Sequence, residues 1–148
     1  MAGDVGAVVP AAGRGQRLGT RRSKALVGLQ GRPLIVHTLR ALQAAPSIRW
    51  IVLVARPTDR ARLWRIARSA GLTKVVAIVA GASSRAGSVT RGLAALPERA
   101  MWVVIHDGAR PCVSARLIET TVRQARRYGA VACGLPAALT VKAVDRGG

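Results

Sequence analysis

Five short apolar runs, separated by stretches of helical spacing, constrain this chain more than any other feature. Val5 to Pro10, Trp50 to Ala55, Val75 to Val79, Trp102 to His106 and Ala130 to Leu135 read as strands. Runs that are apolar throughout, rather than alternating, are expected where both faces of a parallel sheet are covered. Between them, Pro33 to Ala44 carries Ile35, Val36, Leu39 and Leu42 on one helical stripe, after a short apolar piece at Leu26 to Leu29. A second helix is predicted from a Thr58 cap to about Ala70, with Leu63, Ile66 and Ala67 inward and Gly71 ending it. A short third helix runs from Ser88 to about Leu96. The fourth runs from a Ser114 cap to Tyr128, with Leu117, Ile118, Thr121, Val122 and Ala125 inward and Gly129 past its end. Strands separated by helices imply right-handed crossovers, hence an α/β fold with a doubly wound, mostly parallel sheet. Ligands of such sheets bind beyond the carboxyl ends of the strands. The unusual loops, Ala11 to Lys24, Ala80 to Ser88 and Asp107 to Pro111, all follow strands and so belong to one edge.

At 148 residues the chain fits one domain. Half of its residues are apolar and 20% are charged, which excludes intrinsic disorder. The longest mostly apolar stretches, Val75 to Ala82 and Ala130 to Leu139, fall short of the ~18 residues of a membrane span. No positive segment precedes an apolar one at the N-terminus, so a cytoplasmic protein is expected. Cys112 and Cys133 lack metal-ligand spacing and read as small buried hydrophobes. The net charge of +18 suggests a polyanionic partner, either nucleic acid or nucleotide phosphate. Only three of the 24 basic residues are Lys, and the arginines are scattered rather than striped, which weakens the nucleic-acid reading.

Three segments carry chemistry. The first, from Pro10 to Lys24, offers Gly13 and Gly15 for close backbone approach to phosphate, with Arg17 and Lys24 for charge-assisted contacts. Leu18 stands where a dinucleotide fingerprint needs its third Gly, and no Gly-Lys-Ser/Thr occurs, so neither that motif nor a Walker A loop is present. The same composition also suits a plain surface loop. In the second, His106 to Pro111, Asp107 stands at a strand's carboxyl end, where one carboxylate suits Mg²⁺ carrying nucleotide phosphates. Its alternative is loop closure through nearby N–H groups. Arg110 can steady that loop or face phosphate, and His106 reads as a packed strand-end side chain. In the third, Gly81 to Leu93, small residues, Arg85 and a helix-start hydroxyl at Ser88 can hold a base by its edge, or simply form a capped surface helix.

Together these segments resemble the 2-C-methyl-D-erythritol 4-phosphate cytidylyltransferases. Ala11, Ala12, Gly13, Gly15, Arg17, Leu18, Gly19, Lys24, Leu29, Gly31, Pro33, His37 and Thr38 match the family's first loop and the helix after it. Gly81, Arg85, Ser88, Val89, Gly92 and Leu93 match its second motif, and His106, Asp107, Ala109, Arg110 and Pro111 its third. The resemblance covers nearly the whole chain. It implies a Rossmann-like fold of the nucleotide-diphospho-sugar transferase type, and cytidylyl transfer from CTP to methylerythritol phosphate in non-mevalonate isoprenoid synthesis. By position, Arg17 and Lys24 would hold the triphosphate and stabilise transition-state charge, and Asp107 would orient Mg²⁺. The backbone at Ala11, Ala12, Gly13, Gly81 and Ala82, with the Ser88 side chain, would receive ribose and cytosine. Thr140 and Lys142 would begin the arm that meets the acceptor phosphate.

The chain also departs from the family pattern. Ser23 and Ala25 replace the Pro and Gln that flank the loop lysine, which loosens the lysine's expected placement. Ala82, Gly108 and Leu139 replace a Gly, an Ala and an Asp. On this resemblance residues 1–148 are one nucleotidyltransferase domain of a C-terminally truncated member, with 136–148 beginning an incomplete dimerisation and acceptor arm. The family's homodimer and full rate are then expected to be impaired. Competing readings are another nucleotidyltransferase, with a ribitol-phosphate or sugar-phosphate acceptor, and a nonspecific polyanion-binding domain.

Overall fold

A computed structural model of the chain describes residues 4–13 and 23–136. Four strands, β1 (Val5–Pro10), β4 (Ile48–Ala55), β5 (Val75–Ala80) and β6 (Trp102–Ile105), form one all-parallel sheet in the order β5-β4-β1-β6. The chain steps outward from β1 through β4 to β5, then returns to lay β6 on the other side of β1. The direction of winding therefore reverses between β1 and β6, which is where open α/β sheets form their ligand crevice. The remaining strands, β2 (Gly28–Leu29) and β3 (Arg32–Pro33), form a small hairpin. Its two turn residues, Gln30 and Gly31, have φ of 49° and 75°, as a tight primed turn requires.

Side-chain alternation divides the core between two faces of the sheet. Val5, Ala7 and Val9 of β1, with Ile51, Leu53 and Ala55 of β4, pack into one cluster with Ile35, Leu39 and Leu42 of α1 (Leu34–Ala44). Leu63 and Ala67 of α2 (Arg60–Ser69) and Ile118 and Val122 of α4 (Ala115–Tyr128) complete it. The opposite face carries α3 (Arg85–Ala94), which packs on Val8 and Val54 through Gly92. A Cβ at Gly92 would stand 2.4 Å from Val8 Cγ1, so only glycine lets the helix lie this close. The doubly wound parallel sheet expected from the sequence is present.

Several local expectations are corrected. Ala130 to Leu135 forms no strand: Leu135 is 95% exposed, and Cys133 Sγ lies 3.1 Å from Thr121 Oγ1, against α4 rather than the sheet. An apolar run becomes a strand only where a neighbouring strand takes up its backbone hydrogen bonds. Both cysteines are exposed, not buried. Helix α3 starts at Arg85, capped by Ser84 Oγ accepting from the Gly87 N–H, so Ser88 lies inside the helix. Thr58 is not a cap; it sits in a 3₁₀ turn, Pro57–Asp59, that runs directly into α2. Ser114 does cap α4, accepting from the Leu117 N–H, but Leu117 itself is exposed.

Candidate active site at the carboxyl edge of the sheet

The described parts of the three loops singled out in the sequence meet at the carboxyl ends of β1, β5 and β6. The strands themselves bring them together. The Ala11 N–H continues the β1–β4 ladder to the Val54 carbonyl at 2.7 Å, and the Gly81 N–H bonds the Ala55 carbonyl at 2.9 Å. The Gly108 N–H bonds the Pro10 carbonyl at 3.0 Å. Close approach follows from residue size. A Cβ on Gly81 would lie 2.6 Å from Ala12 Cβ, and one on Gly108 would lie 3.2 Å from Ala11 Cβ. The Ala11–Ala12 backbone is thus flanked by a glycine of the β5 loop on one side and a glycine of the β6 loop on the other. Among the described residues, no atom lies within 4 Å of where a Cβ on Gly13 would be.

Asp107 stands directly after β6 on the crevice side of the reversal. Its Oδ1 accepts from Arg85 Nη2 at 3.0 Å, and its Oδ2 forms an ion pair with Arg110, 3.0 Å from Nε. The partners of Asp107 are therefore the two arginines that the motifs single out, and it draws the β5 and β6 loops together. These guanidiniums are 64% and 75% exposed, so water competes for both. His106 is half-buried, with Nδ1 buried and unpartnered among the described residues. Burial lowers its pKa, Asp107 opposes that shift and Arg110 adds to it, so the fold favours the neutral ring. That agrees with a packed strand-end histidine.

Ser88 is buried, and its Oγ accepts from the Ala82 N–H at 3.0 Å, which folds the β5 loop back onto the first turns of α3. Lys24 is exposed at the start of a 3₁₀ turn, Lys24–Leu26. Arg17, Gly15, Thr140 and Lys142 lie outside the described residues. Three residues to which sequence reasoning assigns no role in the site also shape it. Ser23 Oγ donates to the Ala11 carbonyl at 3.1 Å, Thr38 Oγ1 donates to the Gly108 carbonyl at 3.2 Å, and Arg91 Nη1 donates to the Gly81 carbonyl at 2.7 Å. Ser23 replaces the family's proline, yet its φ of −58° is one that proline also adopts.

Among the described residues no three His, Cys, Asp or Glu side chains gather as a metal cluster, and no helix is long and apolar enough to cross a membrane. The family model described as 2-C-methyl-D-erythritol 4-phosphate cytidylyltransferase matches residues 5–148. A curated protein of that name from Desulforamulus reducens is 42% identical over 144 residues, 97% of this chain and 62% of that protein. One from Gloeobacter violaceus is 41% identical over 137 residues, 93% of this chain and 59% of that protein. The chain thus spans about three fifths of the length of these relatives. A crystal structure of 4-diphosphocytidyl-2C-methyl-D-erythritol synthase from Anaerococcus prevotii superposes with a TM-score of 0.70 at 27% identity. That match covers 83% of this chain and 51% of the other. A second structure under the same enzyme name covers 100% of this chain and 66% of the other, with a TM-score of 0.74, and at 23% identity it supports the fold alone. Fold, ordered motifs and relatives agree: this chain belongs to the 2-C-methyl-D-erythritol 4-phosphate cytidylyltransferase family.

Proposed function

We propose that the crevice binds CTP and that the chain transfers its cytidylyl group to the phosphate of 2-C-methyl-D-erythritol 4-phosphate. The observation that carries this reading is the meeting of the Ala11–Gly13 backbone, the Gly81–Ser88 segment and Asp107 at the winding reversal. An acceptor phosphate oxygen forms a bond to the α-phosphorus of CTP while the bond to the β-phosphate oxygen breaks and pyrophosphate leaves. No protein nucleophile is required. The protein's part is to orient the two phosphates in line and neutralise charge that develops between them.

Arg17 and Lys24 are assigned to the triphosphate, and the backbone at Ala11, Ala12, Gly13, Gly81 and Ala82 to ribose and base. Ser88 supports the base site through its bond to Ala82. Arg85 and Arg110 are exposed enough to exchange Asp107 for phosphate oxygens. The donor set suits Mg²⁺ only as one carboxylate beside substrate phosphates, not as a protein cage. Asp107 is the residue that would hold the ion, which when bound supplies positive charge to the triphosphate. Thr140 and Lys142 are assigned to the acceptor phosphate. A cytoplasmic location belongs to the same proposal.

Calorimetric titration with CTP, ATP and GTP, with and without Mg²⁺ and beside Arg17→Ala, tests it. Selective CTP binding that Arg17→Ala abolishes, followed by pyrophosphate release with the acceptor, is the expected result. Equal, salt-sensitive affinity for every polyanion would overturn it in favour of nonspecific charge binding.

A further inference from the structure

We infer that Ser23 and Thr38 are positioning residues, two buried hydroxyls that fix the spacing between the expected triphosphate loop and the Asp107 loop. The inference rests on the nucleotide reading above. Ser23 is 1% exposed and Thr38 0%, so neither hydroxyl exchanges its carbonyl for water. Ser23 Oγ to the Ala11 carbonyl joins positions 11 and 23, the two ends of the segment that contains Arg17, and Lys24 is the next residue. Thr38 Oγ1, from α1, holds the Gly108 carbonyl, one residue beyond Asp107. The Gly108 N–H in turn bonds the Pro10 carbonyl, adjacent to Ala11. A continuous relay therefore runs from Thr38 through Gly108, Pro10 and Ala11 to Ser23.

The side chains expected to touch nucleotide cannot set this spacing themselves. Among the described residues, the side-chain partners of Asp107 are exposed arginines, and Lys24 is exposed. The buried relay supplies the fixed geometry that charge-assisted phosphate contacts need, since a site must be held to within about 0.5 Å to act. Each bond is also hard to lose without consequence. Removing a buried donor leaves its carbonyl unsatisfied, and the loop then shifts to recover a partner.

The test compares Ser23→Ala, Thr38→Val, the double variant and the conservative Ser23→Thr and Thr38→Ser. Readouts are urea midpoints, Mg²⁺–CTP affinity, KM against kcat for pyrophosphate release, and hydrogen exchange of the Gly108 amide. The single variants are expected to fold, to raise the CTP Kd and KM about tenfold with a smaller change in kcat, and to speed Gly108 exchange. Thr38→Ser restores wild-type affinity. The double variant binds no worse than the weaker single one, because the spacing is lost once either end slips. A purely structural role predicts additive effects instead. Wild-type protein that binds CTP selectively, beside folded variants that match it within about twofold, overturns the inference. If wild-type protein binds no nucleotide selectively, the functional reading fails, and Gly108 exchange alone judges the relay: faster exchange supports it and unchanged exchange overturns it. Should Thr38→Val not fold, Ser23→Ala carries the same comparison.

Discussion

Replacing Gly81 and Gly13 by alanine adds the same methyl group to two loops of one site, and the structure predicts opposite consequences. At Gly81 the new Cβ would lie 2.6 Å from Ala12 Cβ. Non-bonded carbons rest at ~3.5–4.0 Å, so the two loops must part by about 1 Å. Neither methyl has a rotamer to turn away. Both backbones are anchored, Gly81 to the Ala55 carbonyl and Ala11 to that of Val54. Overpacking of this kind costs ~1–3 kcal/mol, which for a domain of this size lowers Tm by roughly 3–10 °C. At Gly13 no described residue lies within 4 Å, so the stability of Gly13→Ala should stay within ~0.5 kcal/mol of wild type. Its methyl instead occupies space that the nucleoside is expected to enter, and CTP affinity should fall about tenfold, equivalent to ~1.4 kcal/mol. Urea denaturation and calorimetric titration of both variants measure the two effects separately. A Gly81→Ala protein as stable as wild type, or a Gly13→Ala protein destabilised to the same degree, would refute the argument that Ala12 lies against Gly81 while no described residue crowds Gly13.

Asp107→Asn should change stability by no more than ~1 kcal/mol, because both of its ion pairs have exposed partners, yet lower Mg²⁺-dependent pyrophosphate release on the order of a hundredfold; urea midpoints and a coupled pyrophosphate assay read the split. His106 has its pKa lowered in the fold, so the unfolded chain binds the extra proton as pH drops below the ordinary value of 6.5. Stability should therefore decline from pH 7 toward pH 5 and level off below the folded pKa, and His106→Gln should reduce that slope in urea midpoints taken across the range. Cys112 and Cys133 are exposed and should both react with a thiol reagent in the native state at rates near those in urea.

The elements legible in the sequence are those with strong local patterns. The stripe of Ile35, Leu39 and Leu42 and the Ser114 cap mark α1 and α4 because their burial and capping depend on near neighbours. Helix α3 starts earlier than its pattern suggests because it packs through Gly92 and other small residues, which leave no apolar stripe to count. Ala130 to Leu135 has the composition of a strand, but strand formation is a property of a pair, and pairing is not written in one segment. Asp107 could be singled out from its place at the end of an apolar run. The roles of Ser23 and Thr38 are not legible, although both fall at matched or altered motif positions, because their bonds join positions 12 and 70 residues apart and local sequence carries no sign of either bond.

The position of β1 in the sheet has a consequence for how the molecule assembles. It is the first strand to be made, yet it lies inside the sheet and needs two neighbours. Its β4 ladder can close after one helix, as Val5 meets Ile48, whereas its other edge waits for Trp102, nearly a hundred positions later. At translation rates of ~5–20 residues per second, that edge stays uncovered for roughly 5–20 s in a nascent chain. The β1–α1–β4 unit is then the natural folding nucleus, and closure of β6 the slow, topologically costly step. Mutations in the β1–β4 ladder should therefore slow folding, while those confined to the β1–β6 seam should mainly speed unfolding. The same seam sets the position of Asp107, so the crevice forms only after the β1–β4 ladder.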